Sequence, residues 1–242
     1  MLDIHSHIIF GVDDGPKTAE ESLELLKLSY QQGVRGIVAT SHRRKGMFET
    51  PEAVIRENFK QVQVLAKTIS EDFFIFYGAE IYFTDDVIGK LERKELPTYG
   101  NSSSVLIEFG ESTSYKKIQE AVRDVLRLGL TPILAHIERY DALAGEGGKV
   151  ADLIAMGAYM QINSSSVLKP KLFGDRHKTY KQRAQYFLDN ELVHFVASDM
   201  HNTSSRPPYM DQAFQLIEKE YGRDRAKALF IENPIALMQN KL

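Results

Sequence analysis

Seven short β-rich runs recur along this chain with helical patterns between them, and that alternation constrains the fold more than any other feature. The runs are Met1–Ile9, Gly36–Thr40, Phe73–Ala79, Val105–Phe109, Thr131–Ala135, Ala158–Ile162 and Val193–Ser198. Helices are expected over Thr18–Gln32, Pro51–Ser70, Tyr115–Leu128, Val150–Met156, Thr179–Asn190 and Pro208–Tyr221, with a last one near Arg225–Gln239. Thr18 and Glu21 have capping-box spacing, and Gly33 is a stop signal. Thr50 is the expected cap of the second helix, with Pro51 in its first turn. A strand followed by a crossover helix returns the next strand in the same direction, so the repetition requires a parallel sheet. Runs such as "GIVAT", "PILAH" and "HFVAS" are apolar without clean alternation, as strands covered on both faces should be. No linker or shift in composition divides the 242 residues, so residues 1–242 read as one domain. A closed barrel and an open doubly wound sheet both satisfy the pattern. In either, the loops after the strands carry function.

Composition excludes several functions. There is no cysteine, which removes disulfides, thiolate metal sites and cysteine nucleophiles. The net charge of −3 gives no basic footprint, so no nucleic-acid partner is expected. No apolar run approaches the roughly 18 residues of a spanning helix, and the opening "MLDIHSH" lacks the basic start of a signal peptide. The expectation is a cytoplasmic protein without direct membrane insertion. The oligomeric state is not legible.

The ends of the strands share a chemistry. His5 and His7 stand two apart on the first run, so both side chains face the same way. His42 closes "ATSH", Glu80 closes "YGAE", Glu108 follows "SSVLI", and His136 follows "PILA". The last run ends in "SDMH", giving Asp199 and His201, and Asp14 lies in the loop after the first strand. Parallel strands bring all these ends to one rim. Acids and histidines can simply terminate strands, but that reading predicts lysine, asparagine and glutamine there as well. Here five of seven histidines fall at the rim; His177 and His194 read as structural.

Nine such groups exceed what one ion needs, and shared carboxylates can serve two or three ions roughly 3.5–4 Å apart. Glu80, on a middle strand, is the best bridge. A ligand set without sulfur suits Mn²⁺, Fe or Zn²⁺. Four carboxylates and three divalent ions leave a positive site suited to a phosphate dianion, and coordination lowers the pKa of water toward ~7. Arg139, three residues after His136, and Arg206, five after His201, are the candidate phosphate-binding residues, because a guanidinium fork matches phosphate geometry. Arg43 and Arg44 are weaker candidates. "EGGK" at 146–149 lacks the flanking residues of a phosphate loop and reads as a turn; "NSSS" at Asn163–Ser166 reads as a loop.

"DIHSH", "ATSH", "GAE", "LAHIER" and "SDMH" occur in the order seen in the PHP (polymerase and histidinol phosphatase) family, which the chain resembles over nearly its whole length. "DIHSHIIFGVDDGPK", "ATSHRR", "PILAHIERY" and "SDMHN" further resemble the bacterial capsule and exopolysaccharide manganese-dependent protein-tyrosine phosphatases. The resemblance implies a distorted seven-stranded (β/α)7 barrel with three divalent ions, Mn before Fe or Zn, at the C-terminal rim of the strands. It implies His5, His7, Glu80 and Asp199 as ligands of the first ion. Glu80, Glu108 and His136 would hold the second, and Asp14, His42 and His201 the third. It also implies a substrate: the phosphotyrosine tail of a membrane-associated tyrosine autokinase that controls capsular or exopolysaccharide synthesis. The expected reaction is direct attack of water on phosphorus, since no cysteine exists for a covalent route. Two other readings use the same residues. One is hydrolysis of histidinol phosphate or another small phosphomonoester; the other is a non-catalytic metal-binding PHP module.

Overall fold

The computed structural model describes residues 1–100, 102–171 and 174–242, which include every candidate site residue. In chain order the elements are β1 (Leu2–Ser6), α1 (Ala19–Gln31), β2 (Gly36–Ala39), β3 (His42–Arg43), α2 (Glu52–Ile69), β4 (Phe74–Tyr77) and β5 (Glu80–Tyr82). They continue with α3 (Val87–Glu92), β6 (Ser104–Glu108), α4 (Tyr115–Arg127), β7 (Thr131–Leu134), α5 (Gly147–Met156), β8 (Tyr159–Asn163) and α6 (Ser164–Val167). Last come α7 (Lys178–Asp189), β9 (Phe195–Ala197), α8 (Met210–Tyr221), α9 (Arg223–Lys227) and α10 (Asn233–Met238). No helix among the described residues is long and apolar enough to cross a membrane.

All strand pairings are parallel. They form a three-stranded sheet, β1-β2-β4, and a curled six-stranded sheet, β3-β5-β6-β7-β8-β9. The expected ring of seven strands is therefore corrected: the described residues form nine strands in two sheets, because at the ends of the second and third runs the chain breaks and then re-forms a short strand, β3 and β5. The breaks fall at Thr40–Ser41 and at Gly78–Ala79, where a Cβ on Gly78 would lie 2.9 Å from Val38 Cγ1. Hydrogen bonding survives the break, since the N–H groups of Gly78 and Glu80 donate to Ala39 O and Thr40 O at 3.0 and 3.1 Å. On the opposite side, Ser6 of β1 bridges Met200 just after β9, and Asp199 N–H donates to His5 O at 2.8 Å.

Both faces of the strands are buried. Ile37, Ile107, Leu134 and Val196 pack in one cluster with the helix residues Leu25, Val62, Val122 and Ile217. The intervening Val38, Leu106, Ile133 and Phe195 join a second, smaller cluster closed by Tyr99 and by Leu237 of α10. The alternation hidden in the apolar runs thus divides each strand between an outer helical shell and an enclosed interior.

Helix α1 starts as expected, with Thr18 accepting from the Glu21 N–H. Thr50 does not cap α2: its hydroxyl donates to Val12 O at 2.8 Å, and Pro51 takes the cap position without a side-chain bond. The 146–149 segment is not a turn, because Gly147 begins α5. Ser164–Ser166 are not a loop; they begin the short α6. The last expected helix is divided by a π-helical turn at Ala228–Glu232.

Candidate metal centre

His5 and His7 reach the site from the end of β1 and the residue just beyond it, and both are fully buried. His42 opens β3 and Glu80 opens β5, so the two strand breaks carry the side chains the sequence placed at strand tips. Glu108 ends β6. His136 and Asp199 follow β7 and β9 with φ of +34° and +51°. Left-handed backbone is uncommon outside glycine and costs on the order of 1 kcal/mol; here it occurs at two residues that turn into the site.

Glu80 lies at the centre. Its Oε2 is 3.3 Å from His5 Nε2, 3.1 Å from His7 Nε2 and 3.1 Å from His42 Nδ1. Its Oε1 is 2.8 Å from His136 Nε2. Asp199 Oδ1 faces His5 Nε2 at 3.5 Å and His7 Nε2 at 3.4 Å. Asp14 Oδ1 lies 3.2 Å from His201 Nε2 and 3.5 Å from His42 Nε2. Glu108 stands farther off, 3.8 Å from His42 Nδ1 and 3.9 Å from His136 Nε2.

Three groups have ligand atoms within 4.8 Å of one another: His5, His7, Glu80 and Asp199; His7, Asp14, His42 and His201; and His42, Glu80 and Glu108. The first matches the expected set. The second adds His7 to the expected Asp14, His42 and His201. The third contains His42 where His136 was expected, although His136 still touches Glu80. The donor chemistry fits cations, because six buried atoms at this centre have no hydrogen-bond partner. They are His5 Nε2, His7 Nε2, His42 Nδ1, His136 Nδ1, His201 Nε2 and Glu108 Oε2. Leaving such atoms unpaired in a protein interior costs roughly 1–3 kcal/mol each, which a bound ion offsets.

Electrostatics follow from this crowding. Burial opposes charge on Glu80, but His5 and His42 outweigh it and hold its carboxyl well below the usual range. Burial likewise opposes charge on Asp199, and there Arg139 and His5 prevail. Glu108 goes the other way: burial and the neighbouring Glu80 push it up to about 8. Burial lowers His136 to about 4. For His7, burial is outweighed by Asp13, which raises the ring well above its ordinary value.

Four supporting residues were not anticipated. Asp13 accepts from His7 Nδ1 at 2.8 Å and from the His42 N–H at 3.0 Å. Gln161 on β8 accepts from His5 Nδ1 at 3.1 Å and from the His136 N–H at 2.8 Å. Its amide donates to Asn163 Oδ1, and Asn163 Nδ2 donates to Asp199 Oδ2, both near 2.8–2.9 Å. Asp3 accepts from the N–H groups of Ser198 and His5 beneath the site. A signal existed for Gln161 and Asn163: they stand two apart at the end of the one β-rich run of the seven that leads to no candidate ligand.

Both expected arginines arrive at the rim. Arg139 Nη2 donates to Asp199 Oδ2 at 2.6 Å, and Arg206 Nη2 donates to the same oxygen at 3.0 Å. Their side chains remain 26% and 36% exposed, so each still faces solvent from the site wall. Arg43 is turned away, bound to Glu52, to Tyr77 Oη and to the Ser41 and His42 carbonyls. Arg44 lies over the Tyr82 ring at 4.1 Å. His194 serves structure, accepting from the Met160 N–H on β8. His177 precedes α7, where its backbone N–H donates to Asp175.

Residues 1–239 match the family model described as capsular polysaccharide synthesis, CpsB/CapC. The chain is 58% identical to the tyrosine-protein phosphatase CpsB of Streptococcus pneumoniae, with 100% of both chains covered. It is 30% identical to the tyrosine-protein phosphatase YwqE of Bacillus subtilis, covering 100% of this chain and 92% of that one. A crystal structure from work on YwqE and CpsB, described as unique metal-dependent tyrosine phosphatases, superposes with a TM-score of 0.88 at 29% identity. It covers 100% of this chain and 96% of the other.

Proposed function

This chain belongs to the CpsB/CapC family of capsular polysaccharide synthesis, and we infer that it is a metal-dependent protein-tyrosine phosphatase. The observation that carries the reading is Glu80, whose two carboxylate oxygens face the imidazoles of His5, His7, His42 and His136. One carboxylate surrounded in this way is suited to bridging ions. We assign three divalent ions, Mn before Fe or Zn, to nine ligands: His5, His7, Asp14, His42, Glu80, Glu108, His136, Asp199 and His201. The pairings across the strand breaks and at Ser6–Met200 support reading the two sheets as one distorted (β/α)7 ring within a single domain, residues 1–242.

When bound, the ions supply a lowered water pKa and positive charge facing the phosphoryl oxygens. The protein's own groups do the rest. Asp13 and Gln161 fix the Nδ1 atoms of His7 and His5, which leaves each Nε2 aimed inward. Arg139 presents N–H donors beyond those held by Asp199, and Arg206 presents donors beyond those held by Asp199 and Asp14; these grip phosphate oxygens as charge spreads in the transition state. The leaving phenolate is already acidic, with a pKa near 10, so the site needs no strong acid to protonate it. The proposed substrate is phosphotyrosine on the tail of a membrane-associated tyrosine autokinase of the same export system, met in the cytoplasm.

Elemental analysis of the purified protein, run beside a phosphotyrosine-peptide assay with and without EDTA, tests this reading. Bound transition metal and chelator-sensitive turnover are expected. Turnover of histidinol phosphate without turnover of the peptide overturns the substrate assignment, and EDTA-resistant turnover overturns the metal role.

A further inference from the structure

One flank of the metal centre is walled by a small hairpin that the reaction does not use. Phe48 N–H donates to Arg44 O at 2.8 Å and Met47 N–H donates to the same oxygen at 3.1 Å, with Gly46 at φ +76° making the turn. Phe48 stacks on His42, ring centroids 4.8 Å apart and planes 4° from parallel. Between this hairpin and Ile81–Tyr82 of β5 lies a cavity of about 190 Å³. Its walls include Arg44, Lys45, Phe48, Tyr82 and Lys90, with Glu49 as its one carboxylate. Lys90 is neutralised by Asp86 at 2.8 Å. Arg44 and Lys45 form no salt bridge among the described residues, although Arg44 is near enough to Glu108 to favour its charged form. The groove therefore offers two cations outside any close ion pair beside aromatic surface, and it begins at an imidazole of the metal centre.

We propose that this groove is a subsite for an acidic side chain lying within three residues of the phosphotyrosine, on one side only. The proposal rests on the phosphatase reading above. Three extended residues span about 10 Å, enough to carry a carboxylate from the metal centre into the adjoining groove. The side is set by the groove itself: Arg44 and Lys45 line it on the Phe48 side of His42, whereas Arg139 and Arg206 are bound at Asp199, and Arg206 also at Asp14. A peptide fits better than a lipid surface. Arg44 is recessed against Tyr82 and Phe48 is seated on His42, so a flat membrane would meet the exposed hairpin residues Lys45, Met47, 59% exposed, and the acidic Glu49.

The test uses the metal-loaded full chain and a set of phosphotyrosine peptides. Each carries one glutamate at one of the three positions on either side, against an all-alanine reference. The expected result is kcat/KM about three- to tenfold higher for glutamate on one side, as one or two partly exposed ion pairs provide. The preference should shrink at high salt. Lys45→Glu and Arg44→Gln should each bring the glutamate-to-alanine ratio toward one; Lys45 is exposed, so its variant folds whatever Arg44 does for the hairpin. Equal cleavage of all peptides, or a ratio unchanged in both variants, overturns the groove and leaves the phosphatase reading standing. No cleavage of any phosphotyrosine peptide overturns both. Lys45-dependent sedimentation with phosphatidylserine vesicles, without any peptide preference, replaces the subsite with a membrane contact.

Discussion

Asp13 and His7 form a buried pair in which the carboxylate Oδ2 lies 2.8 Å from Nδ1 of the ring, so the ring's Nε2 is turned toward Glu80 and Asp199. The same oxygen takes the His42 N–H at 3.0 Å, and Oδ1 takes the Gly15 N–H at 2.9 Å. One carboxylate outside the proposed ligand set therefore orients two proposed ligands. Asp13→Asn would set an amide against donors that now meet an acceptor. Metal affinity should fall by about 10–100-fold, as removal of such partners typically does. Competition with a chelator of known affinity measures it. Unchanged affinity would show that the pairing does not set the ring.

Arg139 and Arg206 share Asp199 Oδ2 but lie outside the ligand clusters. Arg139→Ala should lower kcat/KM for a phosphotyrosine peptide on the order of a hundredfold, the typical effect of losing one preorganised donor. Metal content should not change. Arg139→Lys should restore little, because an ammonium cannot present the parallel N–H pair. Loss of metal in the alanine variant would make Arg139 a support for Asp199 and remove it from phosphate binding.

His136 and Asp199 both occupy left-handed backbone and both face the shared carboxylates or imidazoles. His136→Ala and Asp199→Ala should each abolish turnover and lower the metal-to-protein ratio in elemental analysis. Full metal content in either variant, with turnover lost, would assign that side chain to the reacting phosphate and take it out of the ligand set.

How much of this was legible follows from spacing and distance along the chain. His5 and His7, two apart, and "SDMH" at the last strand were readable because strand geometry fixes where such side chains point. The strand breaks were not, because they fall at the ends of the second and third runs, just before His42 and Glu80, and arise from neighbours in space, such as Val38 against Gly78. Thr50 failed as a cap because Val12, far away in sequence, took its hydroxyl. Asp13 was overlooked beside Asp14, and only three-dimensional contact separates the oxygen that holds His7 from the one that faces His42 and His201. The sharing of His7 and His42 between clusters depends on which ring nitrogen faces which oxygen, and no linear motif records that.

His194 gives a stability prediction independent of the metal centre. Burial, with help from Arg225, lowers its ring to about 4, and its Nδ1 accepts from the Met160 N–H. An unfolded histidine titrates near 6.5. Between those values the unfolded chain binds the extra proton and the folded chain does not, so stability is full above about pH 6.5 and falls as pH drops toward 4. The loss attributable to this ring should reach about 1–2 kcal/mol by pH 5. His194→Gln keeps an acceptor for Met160 but cannot titrate. The difference in denaturation midpoint between the two proteins, followed from pH 7.5 to 5, should therefore shift toward the variant as pH falls. A difference that stays constant with pH would mean that His194 takes up its proton in the folded state as readily as in the unfolded one.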